Sequence, residues 1–180
     1  YADLVMISDI SERKALEERL RAQSVRDDLT GLYNRRGFLG AVEQQLKIAG
    51  RQRSRLFVMF ADLDRMKYIN DTFGHGEGDR ALKLVAEALG RAFRSADIVG
   101  RVGGDEFAVL GVEDRAARGE ELGRRLKERL RSVEDRGAGY RLSLSIGVAQ
   151  YDPDQPLSMD ELIASADRAM YEDKNRSRSG

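Results

Sequence analysis

Apolar positions along the chain follow two periods, and together these predict a mixed α/β fold. The unbroken apolar run at residues 56–61 is typical of a buried strand, and alternation on either side of residues 101–106 predicts a hairpin. The predicted strands are at residues 56–62 and 140–150, with the hairpin at 97–112. Helical periodicity predicts helices at residues 35–49, 79–93, 115–133 and 159–175. Two strands separated by helices plus a hairpin favour one mixed sheet flanked by helices, a ferredoxin-like α/β arrangement.

The tip of the predicted hairpin carries two glycines followed by two acids, in the run RVGGDEFAV. Gly103 and Gly104 predict positive φ in a tight turn, and they leave bare backbone that a bulky anionic ligand can approach. Asp105 and Glu106 follow them, and a carboxylate beside a phosphate-sized gap requires a divalent cation between the two. This pattern predicts a metal-assisted site for a phosphorylated substrate. The alternative is an ordinary hairpin turn with surface acids.

A second acidic group follows the apolar run, where the chain continues as Asp62-Leu63-Asp64. A carboxylate at the end of a buried strand loses its water, so it must be paired, protonated or bound to a metal. Asp62 is the strongest such case. It is therefore a candidate partner for the acids of the hairpin tip.

Composition narrows the chemistry that this chain can perform. The 180 residues contain no cysteine and one histidine, which excludes thiolate nucleophiles and Cys-based zinc sites and disfavours His-dependent triads. The 31 basic and 31 acidic residues cancel, so no overall field attracts nucleic acid or acidic lipid. No apolar stretch approaches the roughly 20 residues of a membrane span, and no secretory leader is recognisable. We therefore expect a cytoplasmic chain without a membrane span, with oxygen ligands to a hard cation.

Five motifs, in order along the chain, resemble the GGDEF family of diguanylate cyclases. They are DDLTGLYNRRGF at residues 27–38, FADLDRMKYINDTFGHGEGD at 60–79, RSADIVGRVGGDEF at 94–107, LSLSIGVA at 142–149 and ADRAMYEDKNRSR at 166–178. The resemblance implies the palm-type fold of nucleotide cyclases for residues 27–180. Residues 1–26 resemble the last strand of a PAS sensor domain followed by a signalling helix. The alternative for that segment is a solvated linker helix without a partner.

The resemblance implies a reaction in which two GTP molecules become cyclic di-GMP and two pyrophosphates. Asp62, the Leu63 carbonyl and Asp105 would bind Mg²⁺, with Mn²⁺ as the alternative cation. Asp105 would also accept the proton of the attacking hydroxyl, and Glu106 would support the metal or the base. Because each domain would hold one GTP, the working form implied is a homodimer, with an N-terminal sensor domain and no nucleic-acid partner.

The family's substrate contacts fall on a further set of residues. Asn70 and Asp79 would hydrogen-bond guanine, although an Asn-Asp turn and a helix cap are the ordinary roles of such residues. His75 would contact the substrate or be structural. The other implied substrate contacts are Lys67, Lys174, Arg178, Gly103 and Gly104. Without the resemblance, the three basic residues would be interpreted as solvated charges on helices and the two glycines as a turn.

A last pair of residues implies regulation. Arg94 and Asp97 match the family's RxxD site, at which cyclic di-GMP inhibits its own synthesis, whereas a local ion pair is the simpler interpretation. The main alternative function is a catalytically idle module that binds GTP or cyclic di-GMP and regulates a partner protein. Among the departures from the family pattern, Asp173 stands where alanine is common.

Overall fold

A computed structural model describes residues 24–113, 119–133 and 139–178. The predicted PAS-like strand and most of the signalling helix lie outside the described residues. The division of the chain after residue 26 stays a prediction.

The described residues form ten helices and strands, whose bounds are as follows. The strands are β1 (Tyr33–Asn34), β2 (Leu56–Leu63), β3 (Ile98–Arg101), β4 (Glu106–Val112) and β5 (Leu144–Tyr151). The helices are α1 (Arg35–Gln52), α2 (Met66–Phe73), α3 (His75–Ala92), α4 (Gly119–Val133) and α5 (Met159–Arg178).

The five strands form one mixed sheet in the order β1-β3-β4-β2-β5. β1 pairs with β3 in parallel, and the other neighbours are antiparallel. Successive side chains of β2 point to opposite faces, so Phe57 and Met59 join one core and Val58 joins the other. Helices α3 and α4 cover the first face, while α1 and α5 cover the second. The predicted mixed sheet flanked by helices is confirmed.

Local sequence signals explain how α1 and α5 begin. The Asn34 side chain accepts a hydrogen bond from the Gly37 backbone N–H at the start of α1. At the start of α5, the Ser158 hydroxyl and backbone N–H both donate to Glu161 Oε2, and the Glu161 N–H donates back to the hydroxyl. This is a capping box, which the spacing of serine and glutamate in Ser158-Met159-Asp160-Glu161 predicts.

The segment between β2 and α3 differs from the prediction. Residues 66–73 form a helix that the sequence did not predict. Gly74, with a φ of 88°, separates this helix from α3, which begins at His75 instead of residue 79. Asn70 therefore lies within α2, and Asp79 lies inside α3 and is not its N-cap.

Helix α5 approaches β5 closely because Gly147 has no side chain. A Cβ at this position would clash with the Met170 backbone N and the Ala166 carbonyl. The close contact brings the second half of α5 beside the end of β2. Within the described ranges, no helix is long and apolar enough to cross a membrane.

Candidate active site

The end of β2 meets the tip of the β3–β4 hairpin, as the sequence predicts. Asp62 pairs with Glu106 on β4 and with Ser145 on β5. One residue further, the Leu63 backbone N–H donates to the Asp105 carbonyl at 2.9 Å. The two acidic motifs, which are about forty residues apart in the chain, are therefore neighbours in the sheet.

The Leu63 carbonyl points towards the hairpin. The Asp64 N–H, in the same peptide unit, donates to the Ser143 carbonyl on the β5 side at 3.0 Å. In a trans peptide, the C=O and the following N–H point in opposite directions. The Leu63 oxygen therefore faces the side on which Asp105 lies, as a shared metal site requires.

Asp62 is buried and paired with a lysine. Its relative exposure is 5%, and Lys174 Nζ lies 2.6 Å from its Oδ1. Burial raises the pKa of the Asp62 carboxyl, Lys174 lowers it, and the charges of Asp105 and Asp64 raise it again; the net pKa lies above the ordinary value. The position therefore concentrates negative charge, which a cation stabilises.

Glu106 lies at the inner edge of the same site. Burial raises the pKa of its carboxyl, and the charges of Asp62, Asp105 and Asp167 raise it further. A cleft of about 410 Å³ opens beside it between α1 and α5, with Phe60 and Val102 among its lining residues. The site thus has room for a ligand on the α1–α5 face of the sheet.

The two glycines of the hairpin tip matter because they lack a side chain, and not because they adopt a positive φ. Neither has a positive φ, so that prediction is wrong. The physical reason is the loop length: the Val102 and Gly103 N–H groups both donate to the Glu106 carbonyl, and this longer loop needs no left-handed residue. A Cβ on Gly103 would clash with the Glu106 carboxylate, whereas no described atom lies within 4 Å of a Cβ on Gly104. Gly104 therefore leaves the open backbone surface that the sequence predicts.

Arg101 fixes the hairpin tip, and sequence reasoning missed it. Its guanidinium donates to the Gly104 carbonyl at 2.6 Å and 3.1 Å, and to the Asp27 carboxylate at 3.2 Å and 3.3 Å. Burial raises the pKa of Asp27, but hydrogen bonds from Thr30 and the Arg101 charge outweigh it, so the net pKa is lowered. Asp27 therefore remains ionised, and the first residues of the domain are joined to the hairpin tip.

The predicted guanine contacts lie where α2 meets α3. The Asn70 Oδ1 atom is buried and has no hydrogen-bond partner among the described residues. It lies against Gly78, where a Cβ would clash with it. Asp79 is the next residue and is exposed, as are His75 and Lys67. An unpartnered buried acceptor costs about 1–3 kcal/mol, which favours a role in binding over a role in stability.

Tyr140 supports this turn and was also missed. Its hydroxyl donates to Glu77 Oε2 at 3.0 Å, and its ring lies 5.1 Å from that of Phe73. The sequence predicted Tyr140 only as the first residue of the strand at 140–150, whereas β5 begins at Leu144. The last predicted contact, Arg178, is the final residue of α5, and its side chain lies outside the described set.

The RxxD pair lies at the other end of the hairpin from Gly104. Asp97 Oδ2 accepts a hydrogen bond from the Arg94 backbone N–H at 2.8 Å, and the Asp97 N–H donates to the Arg94 carbonyl at 2.9 Å. These bonds form a turn that leads into β3, whose four residues separate it from the tip. The structure therefore does not bring Arg94 and Asp97 into the site around Asp62.

The donor set suits a hard cation. Two carboxylates, on Asp62 and Asp105, and the Leu63 carbonyl are oxygen ligands of the kind that Mg²⁺ binds together with water and substrate phosphates. The described part of the chain contains no group of three or more His, Cys, Asp or Glu side chains arranged to hold a metal by themselves. A cation here would therefore depend on the backbone carbonyl and on the substrate.

Comparisons with known proteins point to one family. A family model described as "Diguanylate cyclase, GGDEF domain" matches residues 24–180. Diguanylate cyclase DgcP of Escherichia coli is 34% identical over 178 residues, which are 94% of this chain and 52% of the relative. The chain thus spans about half the length of this curated relative.

Solved structures show the same fold. A sensory box/GGDEF family protein from Caulobacter crescentus is 34% identical, with a TM-score of 0.76 over 85% of this chain and 99% of that one. The GGDEF domain of DgcB from the same organism, solved in complex with c-di-GMP, is 25% identical, with a TM-score of 0.76 over 85% and 91% of the two chains.

Proposed function

The chain belongs to the GGDEF family of diguanylate cyclase domains, and we propose from its site that it condenses two GTP molecules into cyclic di-GMP and two pyrophosphates. The observation that carries the proposal is the hydrogen bond between the Leu63 N–H and the Asp105 carbonyl. It makes the end of β2, with Asp62 and the Leu63 carbonyl, a neighbour of Asp105, and this supports a shared metal site beside the cleft that Glu106 lines.

These three groups would hold Mg²⁺ or Mn²⁺. Bound there, the cation would lower the pKa of a GTP 3′-hydroxyl and neutralise triphosphate charge. Asp105, at the exposed tip, would accept the proton of that hydroxyl. Glu106 would support the metal or the base, and a bound cation would offset the burial and the acidic neighbours that raise its pKa.

Guanine specificity would come from Asn70 and Asp79. The buried Asn70 oxygen lacks a partner among the described residues and could accept from a guanine N–H donor. The Asp79 carboxylate accepts but cannot donate, so it matches the N1–H and N2–H₂ edge of guanine. Adenine would leave these acceptors unpaired, which is a large penalty in a polar site.

The phosphates would lie over the open surface at Gly104 and against the last turns of α5. Lys174 and Arg178 are four residues apart on that helix and so share one face. Lys67 is exposed on α2 and would complete the basic set. His75 stands at the start of α3, next to the Asn70–Gly78 contact, and would face the bound nucleotide.

The remaining parts of the proposal concern assembly and regulation. Each domain would hold one GTP, so two domains must face each other, and a homodimer driven by an N-terminal sensor domain is the expected active form. Cyclic di-GMP would bind at Arg94 and Asp97, at the far end of the hairpin. Inhibition would then act at a distance from Asp62 and Asp105.

The test is incubation of the purified chain with GTP and Mg²⁺, followed by chromatography for cyclic di-GMP and pyrophosphate. We expect product from the parent and a loss of at least about a hundredfold in Asp105→Asn, because an amide neither accepts the proton nor holds the cation as tightly. Asp154→Asn is the matched control, since Asp154 is exposed and follows the far end of β5. Turnover in Asp105→Asn within a few-fold of the parent would refute the assignment.

One observation favours a second function. Asp62 is already neutralised by Lys174, an arrangement that satisfies the buried carboxylate without a metal. An idle module that binds GTP or cyclic di-GMP for a partner protein would need nothing more. Calorimetric binding of either nucleotide by a parent protein that makes no product would select this alternative.

A further inference from the structure

We propose that Asp64 is a positioning residue, which Ser143 and Ser145 hold so that the Leu63 carbonyl stays directed at the metal site. The inference rests on the proposed function. It assigns to the second acid of the Asp62-Leu63-Asp64 run a role different from that of the first.

Both carboxylate oxygens of Asp64 accept a serine hydroxyl. Ser143 Oγ donates to Oδ2 at 2.8 Å, and Ser145 Oγ donates to Oδ1 at 2.6 Å. Ser145 is fully buried, so its hydroxyl depends on this carboxylate. The two bonds direct Asp64 towards β5, whereas the Leu63 carbonyl faces the hairpin on the other side of β2.

Backbone hydrogen bonds hold the two consecutive peptides that flank Leu63. The Asp64 N–H donates to the Ser143 carbonyl at 3.0 Å, and the Leu63 N–H donates to the Asp105 carbonyl at 2.9 Å. The peptide between Leu63 and Asp64 therefore cannot rotate without breaking bonds to β5. The hydroxyls of Ser143 and Ser145 hold the side chain of Asp64, which contributes the N–H of this peptide.

Arg65, directly after Asp64, has a strained backbone conformation. The two serine bonds to Asp64, here called the clamp, oppose the relaxation of this strain. Arg65 adopts φ 61° and ψ 25°, a left-handed conformation that is unfavourable for a non-glycine residue. Relaxation of Arg65 would turn the Asp64–Arg65 peptide and pull on Asp64, which carries the N–H of the peptide that holds the Leu63 oxygen. Asp64, held by two hydroxyls, prevents this movement.

The test measures Mn²⁺ binding by calorimetry and by the electron paramagnetic resonance signal of free Mn²⁺, on the whole chain. We expect Ser143→Ala/Ser145→Ala to bind Mn²⁺ about tenfold more weakly, as is usual when an outer partner of a metal site is removed. GTP affinity in the presence of chelator should not change. Ser165→Ala, an exposed serine on α5, is the control.

The competing role makes the opposite prediction. If Asp64 were itself a ligand, removal of the two hydroxyls would free its oxygens, and the double variant would bind Mn²⁺ as tightly as the parent or more tightly. That result would overturn the positioning role alone. Ser143→Ala, at an exposed site, should show part of the loss with an unchanged melting temperature, which guards against a general loss of fold.

Asp64→Asn adds a further discrimination. An amide can keep one serine bond through its oxygen and reverse the other through its NH₂, so we expect it to lose less Mn²⁺ affinity than Asp62→Asn. Equal losses would contradict the positioning role. A parent protein that binds no Mn²⁺ would overturn the proposed function and this role together.

Discussion

Replacement of Lys174 by methionine should destabilise the metal-free protein and make its stability depend on Mg²⁺. Lys174 Nζ lies 2.6 Å from Asp62 Oδ1, and the two side chains are 24% and 7% exposed. Asp62 also lies near the charges of Asp105 and Asp64, which raise its pKa. Without the ammonium, the buried carboxylate keeps its acidic neighbours and loses its only strong counter-charge among the described residues.

The size of the effect follows from the geometry. A hydrogen bond to a charged group contributes about 1.5–3 kcal/mol, and one partner here is a quarter exposed, so solvent screens part of the interaction. Methionine keeps the apolar stem that packs along α5 and so isolates the charge. We therefore expect a loss of about 1.5–2 kcal/mol in the free energy of unfolding with chelator present.

Urea unfolding with chelator and with Mg²⁺ measures both parts of the prediction. In the parent, the cation must compete with the ammonium for Asp62, whereas in Lys174→Met it meets a vacant carboxylate. Mg²⁺ should therefore stabilise the variant more than the parent at equal concentration. Lys83→Met, on the exposed face of α3, is the matched control. Equal destabilisation by the two substitutions, or equal Mg²⁺ stabilisation of variant and parent, would refute the reasoning.

Three further predictions test other parts of the site. Asp79→Ala should weaken GTP binding more than ATP binding, and equal calorimetric losses would reduce Asp79 to an ordinary helix residue. Glu106→Gln should raise the melting temperature at neutral pH, but it should not do so below the ordinary glutamate pKa of 4.5. Because the pKa of Glu106 is raised in the folded protein, the stability that this group contributes is complete below its pKa in the unfolded chain and is lost as the pH rises through its pKa in the folded protein. Arg94→Ala should leave GTP turnover measurable and reduce inhibition by cyclic di-GMP more than tenfold, because a guanidinium supplies several charge-assisted donors. If the inhibition curves of the variant and the parent superimpose, Arg94 and Asp97 form only a structural turn.

The sequence predicts those parts of the fold in which one local signal is strong. The apolar run of β2 and the capping box of α5 each appear within a few residues, and both are confirmed. Helix α2 was missed because its polar, loop-like composition hides a single fully buried side chain, Ile69. Its ends are set by backbone conformation at Arg65 and Gly74, which composition does not reveal.

Contacts between distant residues account for what sequence could not predict in the site. Arg101 and Asp27 are separated by 74 positions, and neither belongs to a spacing that indicates the other. The clamp on Asp64 joins serines that, within LSLSIGVA, predict only a strand with alternating polar residues. A sequence motif identifies candidate residues of such a site, but the register of the sheet determines which of these residues are in contact.

Asp173 shows how a departure from the family pattern can support the site. Its carboxylate accepts the outward Ile146 N–H of β5 at 2.8 Å and pairs with Lys127 of α4. Burial raises the pKa of Asp173, but the hydrogen bonds from these two partners lower it by more, so the net pKa lies below the ordinary value and the carboxylate stays charged. Because β5 is an edge strand, the bond satisfies an exposed backbone donor and ties α5 to the sheet one residue before Lys174. An alanine at this position could make neither contact, so the place of Lys174 against Asp62 depends here on a residue that the family pattern does not require.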